Sequence, residues 1–267
     1  MQAPAQDIVT RYRAELGGIT ELVEPSIHVF AHLCAWQEAN GVTGDMLEVG
    51  VFRGGTASLL AACLAPAERL FLIDPYQAEA VNRQTIEKFA RIKPEQLSFH
   101  VLDSIAVNKW RERILSPHTP VLRFAHIDGE HSYDGVYSDL DLARRYLGNG
   151  GVVVLDDIFN MNSACCTHAM FDFLRDQPLV HCVAMGFRKA YLCDSRSLPA
   201  YRRFFVRVPE LLAQVAGVHV RLSFNSWGHE RSYVTFDSCE AADPHYQIIG
   251  QRFHRLEEAL AAIDSLP

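Results

Sequence analysis

Between residues 45 and 157, five short runs rich in aliphatic and aromatic residues alternate with single helical stretches, and that rhythm limits the possible folds most sharply. The runs are DMLEVGV (45–51), RLFLID (69–74), LSFHVLD (97–103), VLRFAHID (121–128) and GVVVLDD (151–157). Helical spacing fills 55–65, 79–92, 104–115 and 135–147. Two strands joined by one helix run parallel, because the helix carries the chain back across the sheet. Runs with little polar alternation suit strands covered on both faces. The fold class that follows is α/β, a Rossmann-like, doubly wound and mostly parallel sheet.

The flanks read differently. PSIHVFAHLCAWQEANG (25–41) is a helix opened by Pro25 and stopped by Asn40-Gly41, so residues 1–40 form an N-terminal helical cap. Residues 163–176 read as a helix, and LVHCVAMGFRKAYLCDS (179–195) as two strands around a tight turn at Gly186. Residues 41–195 are the core domain and 196–267 an appended subdomain or lid. There VHVRLSF and SYVTF could pair as a hairpin, and Ile249, Phe253, Leu256, Leu260 and Ile263 fall at helical spacing.

Ligands of open parallel sheets bind beyond the carboxyl ends of the strands, so the residues standing there carry the argument. The first strand ends in LEVGVFRGGTA (47–57). Gly50, Gly54 and Gly55 let the backbone turn and approach a ligand, with Phe52 and Thr56 in the same turn and free N–H groups at the helix that follows. The pattern is not the G-x-G-x-x-G of a dinucleotide site. Glu48 puts a carboxylate where a diphosphate would sit, which suits an ammonium or a sulfonium, and so S-adenosylmethionine over NAD. Asp74, ending the second strand, is placed for ribose hydroxyls, and Asp103-Ser104, ending the third, for an adenine amino group. Capping of the following helices is the plainer role for either acid.

A second cluster stands at the next two strand ends. HIDGEHSYDG (126–135) supplies Asp128, Glu130, His131 and Asp134; VVVLDDIFN (152–160) supplies Asp156 and Asp157. Adjacent parallel strands lie about 4.8 Å apart, so Asp128 and Asp156 can converge. Carboxylates that close repel unless protonated or bridged, and a hard divalent ion, Mg²⁺ most simply, resolves the conflict. The competing role is capping, which accounts well for Asp134 and less well for the acidic pair. His131, three residues past Asp128, has an ordinary pKa of about 6.5 that suits a general base.

Together these residues resemble a class I S-adenosylmethionine-dependent methyltransferase. The nearer likeness is to metal-dependent small-molecule O-methyltransferases, those acting on macrolide sugars above all. LEVGVFRGGTA and IDGEHSYDGVYSDLDLARRYLGNGGVVVLDD carry it, across residues 40–195. The resemblance implies that Asp128, Asp156 and Asp157 hold magnesium, and that His131 stands where the sugar enzymes place a histidine base and the catechol enzymes a lysine. It implies a seven-stranded sheet ended by the 179–195 hairpin, with its last strand antiparallel. It also implies transfer of a methyl group to a hydroxyl of a sugar or a phenolic or polyketide natural product. Residues 196–267 match no part of that pattern.

Composition narrows the partners. With 25 Lys+Arg against 32 Asp+Glu and a net charge of −7, the chain offers nucleic acid no general electrostatic footprint. Its apolar stretches are too short for a membrane span, its start lacks an apolar signal core, and seven cysteines without paired CxxC motifs suit a reduced cytoplasm. A homo-oligomer acting on a small molecule is expected. Three rivals remain: a metal-independent methyltransferase on the same fold, a nicotinamide oxidoreductase, and a cofactor-binding subunit without catalysis. Cys165-Cys166 read as packing, Arg196, Arg202, Arg203 and Arg207 as a solvated or interface face, and Phe224 with Trp227 as either a pocket wall or packing.

Overall fold

A computed structural model of the chain describes residues 2–76, 79–115, 119–225, 233–243 and 245–264. Two helices open it, α1 (Gln2–Leu16) and α2 (Glu24–Ala39). The predicted alternation follows: β1 (Asp45–Val49), α3 (Gly55–Ala62), β2 (Leu70–Ile73), α4 (Glu79–Ala90), β3 (Leu97–His100), α5 (Ser104–Lys109), α6 (Arg111–Ile114), β4 (Leu122–Ile127), α7 (Tyr133–Tyr146) and β5 (Leu147–Leu155). Helix α8 (Ala164–Asp176) leads to the hairpin β6 (Val180–Gly186) and β7 (Lys189–Asp194). Then come α9 (Leu198–Phe205), α10 (Val208–Ala216), β8 (Val220–Asn225), β9 (Tyr233–Ser238), β10 (Tyr246–Ile248), β11 (Gln251–Phe253) and α11 (Leu256–Asp264).

All the strands among the described residues share one sheet, in the order β11-β10-β8-β9-β6-β7-β5-β4-β1-β2-β3. From β3 to β5 every pairing is parallel, and β7 runs antiparallel to both neighbours. The seven expected strands are therefore present, but the hairpin does not end the sheet. Strand β9 adds parallel to β6 through Ala184↔Val234 and Met185↔Thr235, and the C-terminal strands carry the sheet to eleven. An open β6 edge would leave a row of unpaired backbone groups, and β9 covers it.

Helices cover both faces, as the unbroken apolar runs require. One buried cluster joins α1, α2, α3, α9 and α10 to the sheet, and the other joins α7 and α8 to its opposite face. Strand β4 is anchored at its base by a buried ion pair. Arg123 donates to Glu68 at 2.9 and 3.0 Å and to the Gln37 side chain at 3.0 Å.

Several local readings change. The hairpin turn is not at Gly186 but at Phe187-Arg188, two non-glycine residues with φ of 55° and 63°. Ser132, not Asp134, caps α7, its Oγ accepting from the Gly135 N–H. The amphipathic tail shortens to α11, because Ile249 and Gly250 turn left-handed (φ 45° and 80°) and put Phe253 on a strand. The β8–β9 pairing forms as predicted, and Phe224 is buried beneath the Arg202 guanidinium. Trp227 lies outside the described residues.

Candidate active site

The order of the strands reverses between β1 and β4, and a cavity of about 590 Å³ opens beyond their carboxyl ends. Gly50, Phe52, Asp74, Tyr76, Asp103, Ser104, Asp128, Glu130 and His131 all line it. A smaller cavity of about 450 Å³, between α2 and α10, holds none of the predicted residues.

The glycine-rich turn is shaped by close contact. Gly50 has φ +84°, and a Cβ there would stand 1.9 Å from the Asp128 carbonyl oxygen. The turn is then held from below by Asp74. Its Oδ2 accepts the Val51 and Phe52 N–H groups at 2.8 and 3.0 Å, and its Oδ1 accepts that of Tyr76 at 2.8 Å. Asp74 thus braces the loop and faces the cavity at once. Asp103 does cap α5, accepting from the Ala106 N–H, and it also lines the cavity beside Ser104. Gly54, Gly55 and Thr56 lie off the cavity wall, with Gly55 packed on Thr20.

Glu48 is off the wall too. Strand alternation turns it away from the side carrying Leu47 and Val49, into the core beside His126, its partner in register. Its Oε1 lies 3.2 Å from His126 Nδ1, and the side chain is 1% exposed. Burial pushes the Glu48 carboxyl up to about 7. Burial alone would lower His126, but the carboxylates of Asp156 and Glu48 lift it to about 9. A carboxylate in direct contact with a cofactor's charge is not what this position supplies.

His131 stands on the rim between two acids. Its Nε2 is 3.4 Å from Asp128 Oδ1 and its Nδ1 is 3.5 Å from Asp157 Oδ2. Ser163 Oγ lies 3.2 Å from the same Nδ1 and donates to Asp157 Oδ2. The hydrogen bond with Asp128 comes first among the causes that raise the imidazole above its ordinary 6.5. Neither Asp156 nor Asp157 caps a helix, since α8 begins only at Ala164. The acids do not meet as one trio. His126, Asp128 and Asp156 bring ligand atoms within 4.8 Å of one another, while Asp157 turns toward His131 and Ser163. Two cations that the sequence did not single out complete the cluster: Lys189 donates to Asp156 Oδ2 and Arg188 to Asp157 Oδ1. Burial would raise the Asp156 carboxyl, yet His126 and Lys189 hold it well below the usual carboxylate range. Their sequence signal was FRKA in a turn between two buried strands, at the level of the acids on β5.

Residues 47–158 match the family described as a methyltransferase domain. A curated protein of Acanthamoeba polyphaga mimivirus is 27% identical over 143 residues, 49% of this chain and 58% of that one, so the likeness spans little more than half its length. Among solved structures, a Corynebacterium glutamicum protein superposes with a TM-score of 0.53 at 18% identity, covering 70% of this chain and 89% of that one. The cofactor-bound Rv0187 from MTB does so with a TM-score of 0.50 at 16% identity, covering 72% and 88%. These two likenesses are of fold.

Proposed function

We propose, from the premise that the core of this chain is a class I methyltransferase domain, that it moves a methyl group from S-adenosylmethionine to a hydroxyl of a small molecule. The observation that carries this reading is the cavity at the switch point, which has Asp74 and Asp103 along one side and Asp128 and His131 at its rim. Its volume is that of a small-molecule site. S-adenosylmethionine fits these residues: two acids at successive strand ends face the cavity, and its floor is glycine backbone that no side chain could replace. When bound, S-adenosylmethionine supplies an electrophilic methyl group on a sulfonium. A nicotinamide dinucleotide is disfavoured, because the turn lacks the G-x-G-x-x-G that holds its diphosphate.

His131 takes the proton of the acceptor hydroxyl. The hydroxyl meets Nε2 in place of that nitrogen's 3.4 Å contact with Asp128, while Asp157, 3.5 Å from Nδ1, holds the ring, and the two carboxylates favour the imidazolium that forms. As the new O–C bond forms, the C–S bond breaks and its electron pair stays on sulfur. Most of the acceleration comes from alignment of the two reactants, worth up to roughly 7–11 kcal/mol. The acceptor class is a sugar or a phenolic or polyketide compound, and the exposed faces of Phe52 and Tyr76 on the cavity wall suit an apolar ring. Assembly as a homo-oligomer in the cytoplasm belongs to the same proposal. No helix among the described residues is long and apolar enough to cross a membrane, and all seven cysteines are free.

A magnesium ion on Asp128, Asp156 and Asp157 does not fit the arrangement. Both oxygens of Asp156 and both of Asp157 already have partners, and two of those partners are an ammonium and a guanidinium. The His126, Asp128 and Asp156 set is more convergent, but it shares the Asp156 oxygen that Lys189 holds.

Titration with S-adenosylmethionine, S-adenosylhomocysteine and NAD by calorimetry, joined to methyl transfer onto a panel of hydroxyl acceptors, tests the reading. His131→Ala should lower turnover by roughly 10²–10⁴-fold with S-adenosylhomocysteine affinity unchanged. Binding of NAD but of neither sulfur ligand would sink the proposal, and full turnover in the variant would remove His131 as base.

A further inference from the structure

The acids at the ends of β4 and β5 carry more negative charge than a rim site tolerates unbalanced, and the chain itself supplies the balance. We infer that Lys189 and Arg188 occupy the role of a divalent cation, so that the methyl transfer proposed above proceeds without metal. The inference rests on that reading for its chemistry, while the ion pairing it starts from is independent of it.

Lys189 is 3% exposed, with its ammonium on Asp156 and 5.8 Å over the Phe30 ring. A buried ammonium is tolerable only while paired, so Asp156 cannot be given to a metal without stranding Lys189. A divalent ion on Asp156 would also stand beside that ammonium, and like charges at such range repel. Arg188 is held as firmly from the backbone. It sits at the second position of a two-residue hairpin turn whose geometry needs positive φ, a place where glycine or asparagine carries no strain. Phe187 and Arg188 adopt that conformation as side-chain-bearing residues, and Asp157, opposite, is left-handed as well (φ 57°). Strain kept on both sides of one ion pair points to the pair as the reason for it. The Arg188 carbonyl also accepts the Ile158 N–H at 3.0 Å, which ties the turn to the loop bearing the acids.

The consequence reaches His131. Asp157 Oδ1 holds Arg188 and Asp157 Oδ2 faces His131 Nδ1, so Arg188 is a positioning residue that acts on the base through Asp157. Lys189 and Asp156 neutralise each other beneath, which leaves Asp128 and Asp157 as the carboxylates that set the imidazole.

Manganous ion is the probe, followed by the paramagnetic resonance of free Mn²⁺, with the wild type, Arg188→Ala, Lys189→Met and the double variant. The wild type should take up no Mn²⁺ at millimolar concentration. Arg188→Ala, an exposed turn position, should take up Mn²⁺ at concentrations at least about tenfold below those at which the wild type takes up none, and the double variant at lower ones still, as the freed carboxylates regain an unbalanced field. Micromolar uptake of one Mn²⁺ by the wild type would overturn the inference. So would a folded Arg188→Ala protein that binds Mn²⁺ no better than the wild type, whatever becomes of the Lys189 variants. S-adenosylhomocysteine titrated into the same samples separates the two failures, because loss of its binding bears on the methyltransferase reading and leaves the manganese result standing.

Discussion

Replacing Asp74 by asparagine isolates what one carboxylate does for the glycine-rich turn. The native group accepts three backbone N–H bonds, two on Oδ2 and one on Oδ1, and is 5% exposed. An asparagine can keep only one oxygen there. With that oxygen toward Val51 and Phe52, its amide nitrogen faces the Tyr76 N–H, donor against donor, and the reverse orientation loses two bonds instead of one. A hydrogen bond to a charged group contributes about 1.5–3 kcal/mol and a neutral one about half that, so one lost and two weakened bonds come to roughly 3–6 kcal/mol. For a chain of this size that is a fall in Tm of roughly 6–24 °C. The loop that shifts is the cavity floor, so S-adenosylhomocysteine affinity should drop by roughly 10–100-fold. Thermal unfolding and calorimetry on one preparation read both. A variant that melts within about 1 °C of the wild type refutes the brace. Lost affinity with an unchanged melting temperature would place the role of Asp74 in ligand contact alone.

Two further substitutions probe the same end of the sheet. Gly50→Ala puts a Cβ 1.9 Å from the Asp128 carbonyl oxygen and should cost more than about 4 kcal/mol, leaving little folded protein at 37 °C. Gly54→Ala meets nothing nearer than 3.5 Å and should cost only about 1–2 kcal/mol of left-handed strain, so equal melting temperatures for the two would contradict the contact. For pH, His131 must be neutral to take a proton, and Asp128 raises it, so kcat/KM should climb with pH through an ionisation above 6.5. Asp128→Asn removes the largest raising influence, and the rising limb should move to lower pH. A limb that stays where it was excludes His131 as the group titrated.

The parallel core was legible because its signal is local. Four of the five runs carry an acid where the strand leaves the sheet, and Asp74, Asp103 and Asp128 line one cavity as that pattern implies. Glu48 shows where reading by strand ends fails. Alternation sets it opposite Leu47 and Val49, and His126 occupies the same register one strand away, so the sequence held both halves of a buried pair. That pairing shows only when two strands are laid side by side. Lys189 was hidden for a similar reason, since 33 residues separate it from Asp156 and the turn that delivers it contains no glycine at its central positions. The three-residue strands β10 and β11 are too short for any period to register, and their apolar residues fell into the spacing of the helix that follows.

The C-terminal strands matter to the site through that same hairpin. Ala184 and Met185 of β6 pair with β9, the Phe187 ring stacks on Phe236 at 5.8 Å, and a Cβ on Gly186 would strike Phe236 at 2.8 Å. The turn that presents Arg188 and Lys189 is thus pinned on one side by β9 and on the other by β5, where Leu155 pairs with Ala190. A two-residue turn in left-handed conformation built without glycine is strained, and both flanking strands help to hold it. Residues beyond 195 therefore fix where two cations stand against two carboxylates, and through Asp157 they fix His131. Weakening the β6–β9 contact should loosen the Arg188–Asp157 and Lys189–Asp156 ion pairs before it unfolds the parallel core.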